Sequence, residues 1–234
     1  MDLIGFSTGS LARSDVRGAL DLLRGQETGA VELSALRANE MQPLLRAIPD
    51  LDLAGFARVS VHAPSAFDAA DEPVIVEALL SVAERGWPVV AHPDTIRDFE
   101  MWRALGSALY IENMDPRKPI GRTAEELLPV FAQLPDALFC LDLAHTRRCD
   151  PSLSDALRLL DVFGERLAEV HISELESGNR HIRLSLGAVR AYQRLAPLVP
   201  ANVPVIIESP VRAEEIPAEL EMTRQAMGRT PALV

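Results

Sequence analysis

The 234-residue sequence predicts an α/β protein in which residues 1–234 form one domain, a single (β/α)8 TIM barrel. Eight short runs of aliphatic residues alternate with longer amphipathic runs, as strands alternate with helices. The short runs are apolar on both faces, which is typical of parallel strands covered by helices. Dividing the length by eight leaves about 29 residues for each βα unit, which is enough for a small closed barrel.

The main competing architecture is a doubly wound open sheet, which normally binds a dinucleotide at a glycine-rich first turn. Here the segment after the first predicted strand reads STGSLARS, residues 7–14, and contains no G-x-G-x-x-G motif. No linker-like segment interrupts the series of strands and helices. The sequence therefore favours one closed barrel over an open sheet.

The strands are predicted from runs of aliphatic and β-branched residues. In chain order they cover residues 2–8, 30–35, 58–64, 88–94, 108–115, 137–145, 167–173 and 203–210. Amphipathic runs predict helices at residues 14–26, 72–86, 123–135, 152–166 and 213–228. Three of these helices are expected to begin at a hydroxyl residue that precedes an acidic one, namely Ser14, Thr123 and Ser154.

The composition limits the class of protein. Asp and Glu number 34 against 23 Lys and Arg, so the formal net charge is −11 and the chain lacks an overall basic nucleic-acid footprint. Two cysteines cannot form a disulfide scaffold, which favours a reducing, cytoplasmic location. No apolar stretch approaches the roughly 20 residues that span a bilayer, and we expect no membrane partner.

Histidines and carboxylates occur at or near the carboxyl ends of the second to eighth predicted strands. They are Glu32, His62, His92, Glu112, Asp142, His171 and Glu208. The two remaining histidines, His145 and His181, lie just beyond strands six and seven. In a (β/α)8 barrel the carboxyl ends of all strands meet at one mouth, where active sites are built. The sequence therefore predicts that these side chains converge.

Such a cluster predicts bound divalent metal ions, because several buried carboxylates need positive charge and the chain has one lysine, Lys118. Imidazole and carboxylate without thiolate favour zinc, manganese, iron or cobalt over magnesium and calcium. One ion takes about three to five protein ligands, and the mouth offers more than that. We expect two to three ions per chain, with zinc first and manganese or iron as alternatives.

The sequence leaves the roles of three further residues less certain. Glu32 is either a partner that orients a ligating imidazole or a charge on the rim. Glu169 points into the barrel by its spacing from His171, and Ser60 or Arg58 is its expected partner. Cys140 shares its face with Asp142 and is expected to pack inside the barrel rather than bind metal.

The motifs at the strand ends resemble those of the xylose isomerase-like TIM barrels, nearest the endonuclease IV branch. They are VHAP (61–64), AHPD (91–94), IEN (111–113), LDLAH (141–145), VHIS (170–173), NRH (179–181) and IIES (206–209). The resemblance extends from the second predicted strand to the eighth. It implies the same barrel and an enzyme whose metal ions lie at the mouth.

The endonuclease IV pattern implies three metal sites. The first takes His62, His92 and Glu112, and the second takes Glu112 again with Asp142, His171 and Glu208. The third takes His145, position 179 and His181. Position 179 is Asn where the family has Asp, and a neutral amide weakens that site.

The resemblance and the residues together predict catalytic roles for Glu112, Glu208, His145 and Arg180, the last as a contact to a substrate oxyanion. The expected reaction is hydrolysis of a small substrate such as a phosphoester. The sibling branch implies an alternative, a single-metal sugar isomerase or 3-epimerase that uses Glu112, Asp142, His171 and Glu208.

Cleavage of abasic-site DNA is less favoured. The loops after strands two and three are short, and Ser65 stands where the nuclease branch of the family commonly has a tyrosine. Basic residues that could neutralise DNA phosphates are also few at the rim. Iron-dependent oxidation is a further alternative if the ions are iron. A small-molecule substrate is therefore the expected partner, and nucleic acid is not. The sequence leaves the substrate and the oligomeric state open.

Overall fold

The computed structural model describes residues 2–229, which form a closed barrel of eight parallel strands, as predicted. The strands are β1 (Ile4–Ser7), β2 (Ala30–Ser34), β3 (Arg58–His62), β4 (Val89–Ala91), β5 (Leu109–Glu112), β6 (Leu138–Asp142), β7 (Leu167–Ile172), β8 (Glu174–Leu175), β9 (His181–Ile182) and β10 (Val205–Ile207). Strands β1 to β7 pair in sequence order, and β10 closes the barrel between β7 and β1. Strands β8 and β9 form a separate antiparallel hairpin, which the sequence did not predict.

In the described part of the chain, ten helices surround or follow the strands. They are α1 (Thr8–Ala12), α2 (Val16–Leu23), α3 (Ala38–Ala47), α4 (Glu72–Ala83), α5 (Phe99–Arg103), α6 (Ala124–Gln133), α7 (Leu143–Cys149), α8 (Ser154–Phe163), α9 (Leu186–Tyr192) and α10 (Ile216–Ala226). No helix in residues 2–229 is both long and apolar enough to cross a bilayer.

One of the three predicted helix caps is confirmed. The Thr123 side chain accepts a hydrogen bond from the Glu126 amide at the start of α6. At α2 the cap is Asp15, not Ser14, because the Asp15 carboxylate accepts from the Gly18 amide. Ser154 is the first residue of α8 rather than its cap. A hydroxyl or carboxylate residue in the sequence therefore locates the start of a helix, but it does not identify which residue caps the helix.

The two faces of each barrel strand have different surroundings. On β6, Phe139 packs outward against Phe131 of α6 and Phe163 of α8. The alternate residues of β6, Cys140 and Asp142, are fully buried on the inner face. The apolar sequence runs predict strands that are apolar on both faces, but the inner face is more polar than that. The reason is that the barrel interior holds the cluster of titratable groups. The hydrophobic core lies between the strands and the helices.

Candidate metal centre

The strands bring the predicted donors together at the carboxyl end of the barrel. His62, Glu112 and Asp142 are the last residues of β3, β5 and β6, and His92 follows β4 directly. Parallel pairing places Asp142 beside His171 on β7. Because neighbouring strands are about 4.8 Å apart, donors on adjacent strands lie close enough to share an ion.

Glu112 occupies the middle of the cluster and is 1% exposed. Its Oε2 lies 3.2 Å from Nε2 of His62 and 3.2 Å from Nε2 of His92. These three residues can place one donor atom each within 4.8 Å of one another. They form what we call the first donor group.

The other carboxylate oxygen of Glu112 faces different partners. Its Oε1 lies 3.6 Å from Nδ1 of His171 and 3.2 Å from Nδ1 of His145. His171 Nδ1 lies 3.5 Å from Glu208 Oε1. Glu112, His171 and Glu208 together with Asp142 can place four donor atoms within 4.8 Å of one another. We call this set the second donor group, and Glu112 belongs to both groups.

The donors fit divalent cations by an observation independent of their spacing. Three buried side-chain atoms of the second group have no hydrogen-bond partner within residues 2–229, namely Asp142 Oδ2, His171 Nδ1 and Glu208 Oε2. Buried polar atoms are normally paired, so unpaired ones that converge form a set of donors suited to a cation. Carboxylate oxygens and imidazole nitrogens are ligands of zinc, manganese and iron. Both donor groups therefore suit such ions.

Burial and mutual charge shift the pKa values in this cluster. Burial alone would lower the pKa of His62, but nearby carboxylates, Glu32 foremost, outweigh it and raise that pKa to about 9. Burial also opposes protonation of His145, whose pKa the Asp142 carboxylate and its neighbours raise to about 10. Burial raises the pKa of Glu208 to about 8. Without metal the cluster thus retains protons that an entering cation would displace.

Residues outside the donor groups fix their orientation. The Asn113 side chain donates to the Asp142 carbonyl (3.0 Å) and accepts from the Asp142 amide (2.8 Å), which joins the ends of β5 and β6. Asp94 lies 4.0 Å from Nδ1 of His92 and pairs with Lys118 Nζ at 2.9 Å. At 4.0 Å the Asp94 carboxylate does not hydrogen-bond the ring, and Nδ1 of His92 has no hydrogen-bond partner within residues 2–229.

The structure shows the surroundings of Glu32 and Glu169, whose roles the sequence left undecided. Glu32 is buried beside an imidazole and is not a rim charge, since it is 0% exposed and its Oε2 lies 3.3 Å from Nε2 of His171 without a hydrogen bond. Glu169 Oε1 lies 3.3 Å from the same nitrogen and accepts from Ser60 Oγ at 3.3 Å. Ser60 is therefore the partner of Glu169. Cys140 is fully buried on the same inner face.

The predicted third site is assembled only in part. The rings of His145 and His181 face each other with centroids 5.6 Å apart. The amide oxygen of Asn179, however, accepts from Arg148 Nε at 2.6 Å. Arg180 is 81% exposed and pairs with Glu176 on its own hairpin. The structure thus gathers the two histidines, and it engages Asn179 and Arg180 with other partners.

One carboxylate at the barrel mouth, Asp115, was not predicted from the sequence. Asp115, 2% exposed, places Oδ2 3.8 Å from Nε2 of His145 and forms an ion pair with Arg117 at 2.6 Å. Its position three residues after Glu112 gave a signal, because the loop that follows a barrel strand lines the mouth.

No protein-family model matches this chain, and no curated protein matches its sequence. Its structure is similar to endonuclease IV from Thermus thermophilus, with a TM-score of 0.64, 21% identity and coverage of 97% of this chain and 99% of that one. A xylose isomerase domain protein from Alicyclobacillus acidocaldarius matches with a TM-score of 0.64 and 12% identity over 96% and 98%. An amidohydrolase with bound zinc from Burkholderia multivorans matches with a TM-score of 0.51 and 14% identity over 92% and 82%.

These matches confirm the fold that the sequence predicts. The chain has the (β/α)8 barrel that endonuclease IV and xylose isomerase domain proteins share. Identities of this size carry the fold and not the reaction, so the chemistry has to be argued from the donor groups.

Proposed function

We propose that the protein is a divalent-metal-dependent hydrolase of small phosphoesters that works with two ions at the barrel mouth. The observation that carries this proposal is the position of Glu112, whose two oxygens face two different donor groups. A carboxylate shared in this way is the usual bridge of a dinuclear site. An enzyme that used one ion would need only one of the two groups.

His62 and His92 would hold the first ion with Glu112, and Asp142, His171 and Glu208 would hold the second with the same carboxylate. Zinc is the ion we expect first, with manganese or iron as alternatives. Two such ions supply Lewis acidity, water activation near neutral pH and charge compensation for a phosphoryl group.

The remaining side chains can position the substrate. Glu208 and His181 are the most exposed members of the cluster, at 15% and 29%, and lie where a substrate would enter. His181 is held by Ser173 Oγ, 2.8 Å from its Nδ1. Arg180, next to His181 on the hairpin, would contact outer oxygens of the substrate when its pairing with Glu176 opens.

The charges around the mouth favour a small substrate over DNA. The basic residues of this rim are largely engaged by acidic neighbours: Lys118 by Asp94, and Arg147 by Glu174. Non-specific DNA affinity comes mainly from free cations that neutralise phosphates, and a chain of net charge −11 offers few here. We therefore expect the two metal ions to be the main anion-binding feature.

A second candidate is a single-metal sugar isomerase or 3-epimerase. The second donor group favours it, because four donor atoms within 4.8 Å are enough for one ion. This candidate leaves His62 and His92 without a metal, although both direct Nε2 at Glu112. It is therefore the less economical use of the site.

The deciding experiment compares the wild type with His92→Ala, which affects only the first donor group. We expect His92→Ala to contain one ion fewer per chain by elemental analysis. We also expect it to lose at least about 10²-fold of its activity on aryl phosphate mono- or diesters, because ligands matter at least as much as the groups that orient them. Glu77→Ala, an exposed change on α4, is the control.

The alternative reaction has its own signature. Equal metal content in His92→Ala and the wild type, together with exchange of solvent deuterium into a ketose, would overturn the hydrolase proposal in favour of the epimerase. Oxygen consumption by the iron-loaded protein in place of ester cleavage would overturn it in favour of oxidative chemistry.

A further inference from the structure

A second layer of donors lies inside the barrel, beneath the two donor groups. Cys140 and Glu169 are each two residues before a donor of the upper layer on the same strand, Asp142 and His171. Alternate residues share a face, so both side chains lie on the inner face, one layer deeper. Cys140, Glu169 and His171 can place donor atoms within 4.8 Å of one another, and all three are buried. The proposed hydrolase does not use this layer.

The carboxylates of this layer have no arginine or lysine beside them in the described part of the chain. Glu32 is 0% exposed, and neither of its oxygens has a hydrogen-bond partner there. Glu32 and Glu169 each approach the same nitrogen, Nε2 of His171, at 3.3 Å. Within residues 2–229 neither carboxylate has an arginine or lysine nitrogen within 4.0 Å. One ring N–H cannot donate to two carboxylates, so Glu169 takes the hydrogen bond and Glu32 is left without one in residues 2–229.

We infer that Cys140, Glu169 and Nε2 of His171 form an inner site for a transition-metal dication such as zinc or iron. Glu32, whose Oε2 lies 3.3 Å from the same nitrogen, borders this site and would supply a further carboxylate. The site shares His171 with the second donor group, and it does not depend on the proposed hydrolysis. A thiolate with imidazole and carboxylates selects a borderline-soft ion and disfavours magnesium and calcium. Glu32, a buried carboxylate aimed at the other donors without a hydrogen-bond partner in residues 2–229, is the observation that calls for a cation.

Binding at this site has a definite proton balance. The Cys140 thiol releases its proton to solvent when its sulfur binds the ion, since the thiolate is the ligand. His171 directs Nδ1 to the upper centre and Nε2 to the inner donors. If both levels were occupied, both ring nitrogens would bind ions and the ring would release its N–H protons to solvent.

The inner layer has its own route to solvent. A cavity of about 420 Å³ opens at the amino end of the barrel and reaches Glu169. Arg58, Tyr110 and Pro204 are among its lining residues, at or near the starts of β3, β5 and β10. This cavity lies at the end opposite to the mouth, and we expect a cation to reach the inner layer from there rather than through the dinuclear centre.

Cobalt(II) is the probe that tests this site, because a cobalt–thiolate bond produces a near-ultraviolet charge-transfer band that imidazole and carboxylate do not. The full chain, stripped of metal and reloaded with cobalt, is expected to show the band. Cys149→Ser should keep the band, since Cys149 is the half-buried last residue of α7 and is not one of the inner donors. Cys140→Ser should lose it and bind one cobalt fewer per chain.

Absence of the band in the cobalt-loaded wild type would overturn the inference, whether or not Cys140→Ser folds. So would a band that disappears in Cys149→Ser and survives in Cys140→Ser. His92→Ala separates the two proposals, because it should remove an upper ion and leave the thiolate band intact. Failure of the hydrolase proposal therefore leaves this test unaffected.

Discussion

The strand-borne donors of the mouth and the residues on its hairpin differ in what surrounds them. Glu112, Asp142 and His171 are at most 1% exposed, and within residues 2–229 Asp142 Oδ2 and His171 Nδ1 have no hydrogen-bond partner. Asn179 and Arg180 lie between the hairpin strands β8 and β9, and each already has a partner, Arg148 for one and Glu176 for the other.

This contrast indicates that the secondary-structure element carrying a donor side chain decides whether that side chain remains available to bind a metal ion. A strand in a closed barrel has its register fixed on both sides, so its side chains keep pointing into the mouth even where an atom, such as Asp142 Oδ2, has no partner in residues 2–229. Side chains of a hairpin loop are less constrained, and here they pair with nearby polar or charged groups. Ions are therefore expected to bind strongly among the strands and weakly on the hairpin.

The largest test of this contrast is Glu112→Gln. The amide is neutral and cannot bridge, so ions of both donor groups should be lost from the mouth and activity should fall by at least about 10²-fold. Elemental analysis and turnover of an aryl phosphate measure the two effects. The exposed Glu77→Gln serves as a matched control. Loss of one ion with the other retained would show that Glu112 does not bridge.

The pH dependence of the metal-free protein is a test of intermediate size. The pKa of His62 is raised from 6.5 to about 9, so its stabilising contribution is complete below pH 6.5 and is lost as the pH rises to 9. It amounts to about 3 kcal/mol at 1.36 kcal/mol per pKa unit. His181, toward the hairpin, works in the opposite sense, because burial lowers its pKa to about 4 and stability falls between pH 6.5 and 4.

Urea unfolding of the chelated protein between pH 4 and 10 measures both effects. His62→Gln should flatten the alkaline side and His181→Gln the acid side. In the metal-loaded protein protons compete with the ions, so we expect stability to increase from acid to neutral pH. A chelated His62→Gln variant with the same alkaline loss as the wild type would contradict the assignment.

The smallest expected effect is that of Asn179→Asp, which restores the residue type of the family pattern. Arg148 Nε, 2.6 Å from the present amide oxygen, should pair with the new carboxylate and add at most about 1 kcal/mol of stability. Metal content should stay unchanged. Adding Arg148→Ala removes that competitor, and an extra ion that appears only in the double variant would sharpen the comparison. An extra ion in the single variant would contradict it.

The sequence was sufficient to predict the barrel, because parallel buried strands have a strong apolar pattern and their order along the chain fixes their order around the barrel. The same regularity placed the histidines and carboxylates at strand ends. All eight predicted strand regions contain a barrel strand, although the observed strands are shorter.

What the sequence could not predict depends on partners that are distant along the chain. Whether Asn179 is a free donor is decided by Arg148, 31 residues earlier. The position of Asp115 beside His145 depends on how two loops pack. The role of Glu32 required the geometry of His171, across the barrel interior. Loop and cross-barrel contacts have no period that a sequence can display.

The two hydrogen bonds between the Asn113 side chain and the main chain of Asp142 have a kinetic consequence. They hold the ends of β5 and β6 at one spacing before any ion arrives, so no segment has to become ordered during capture. The rate of uptake should then be limited by how fast the ion sheds its water. Magnesium, which dehydrates reluctantly, would enter this cluster slowly compared with zinc.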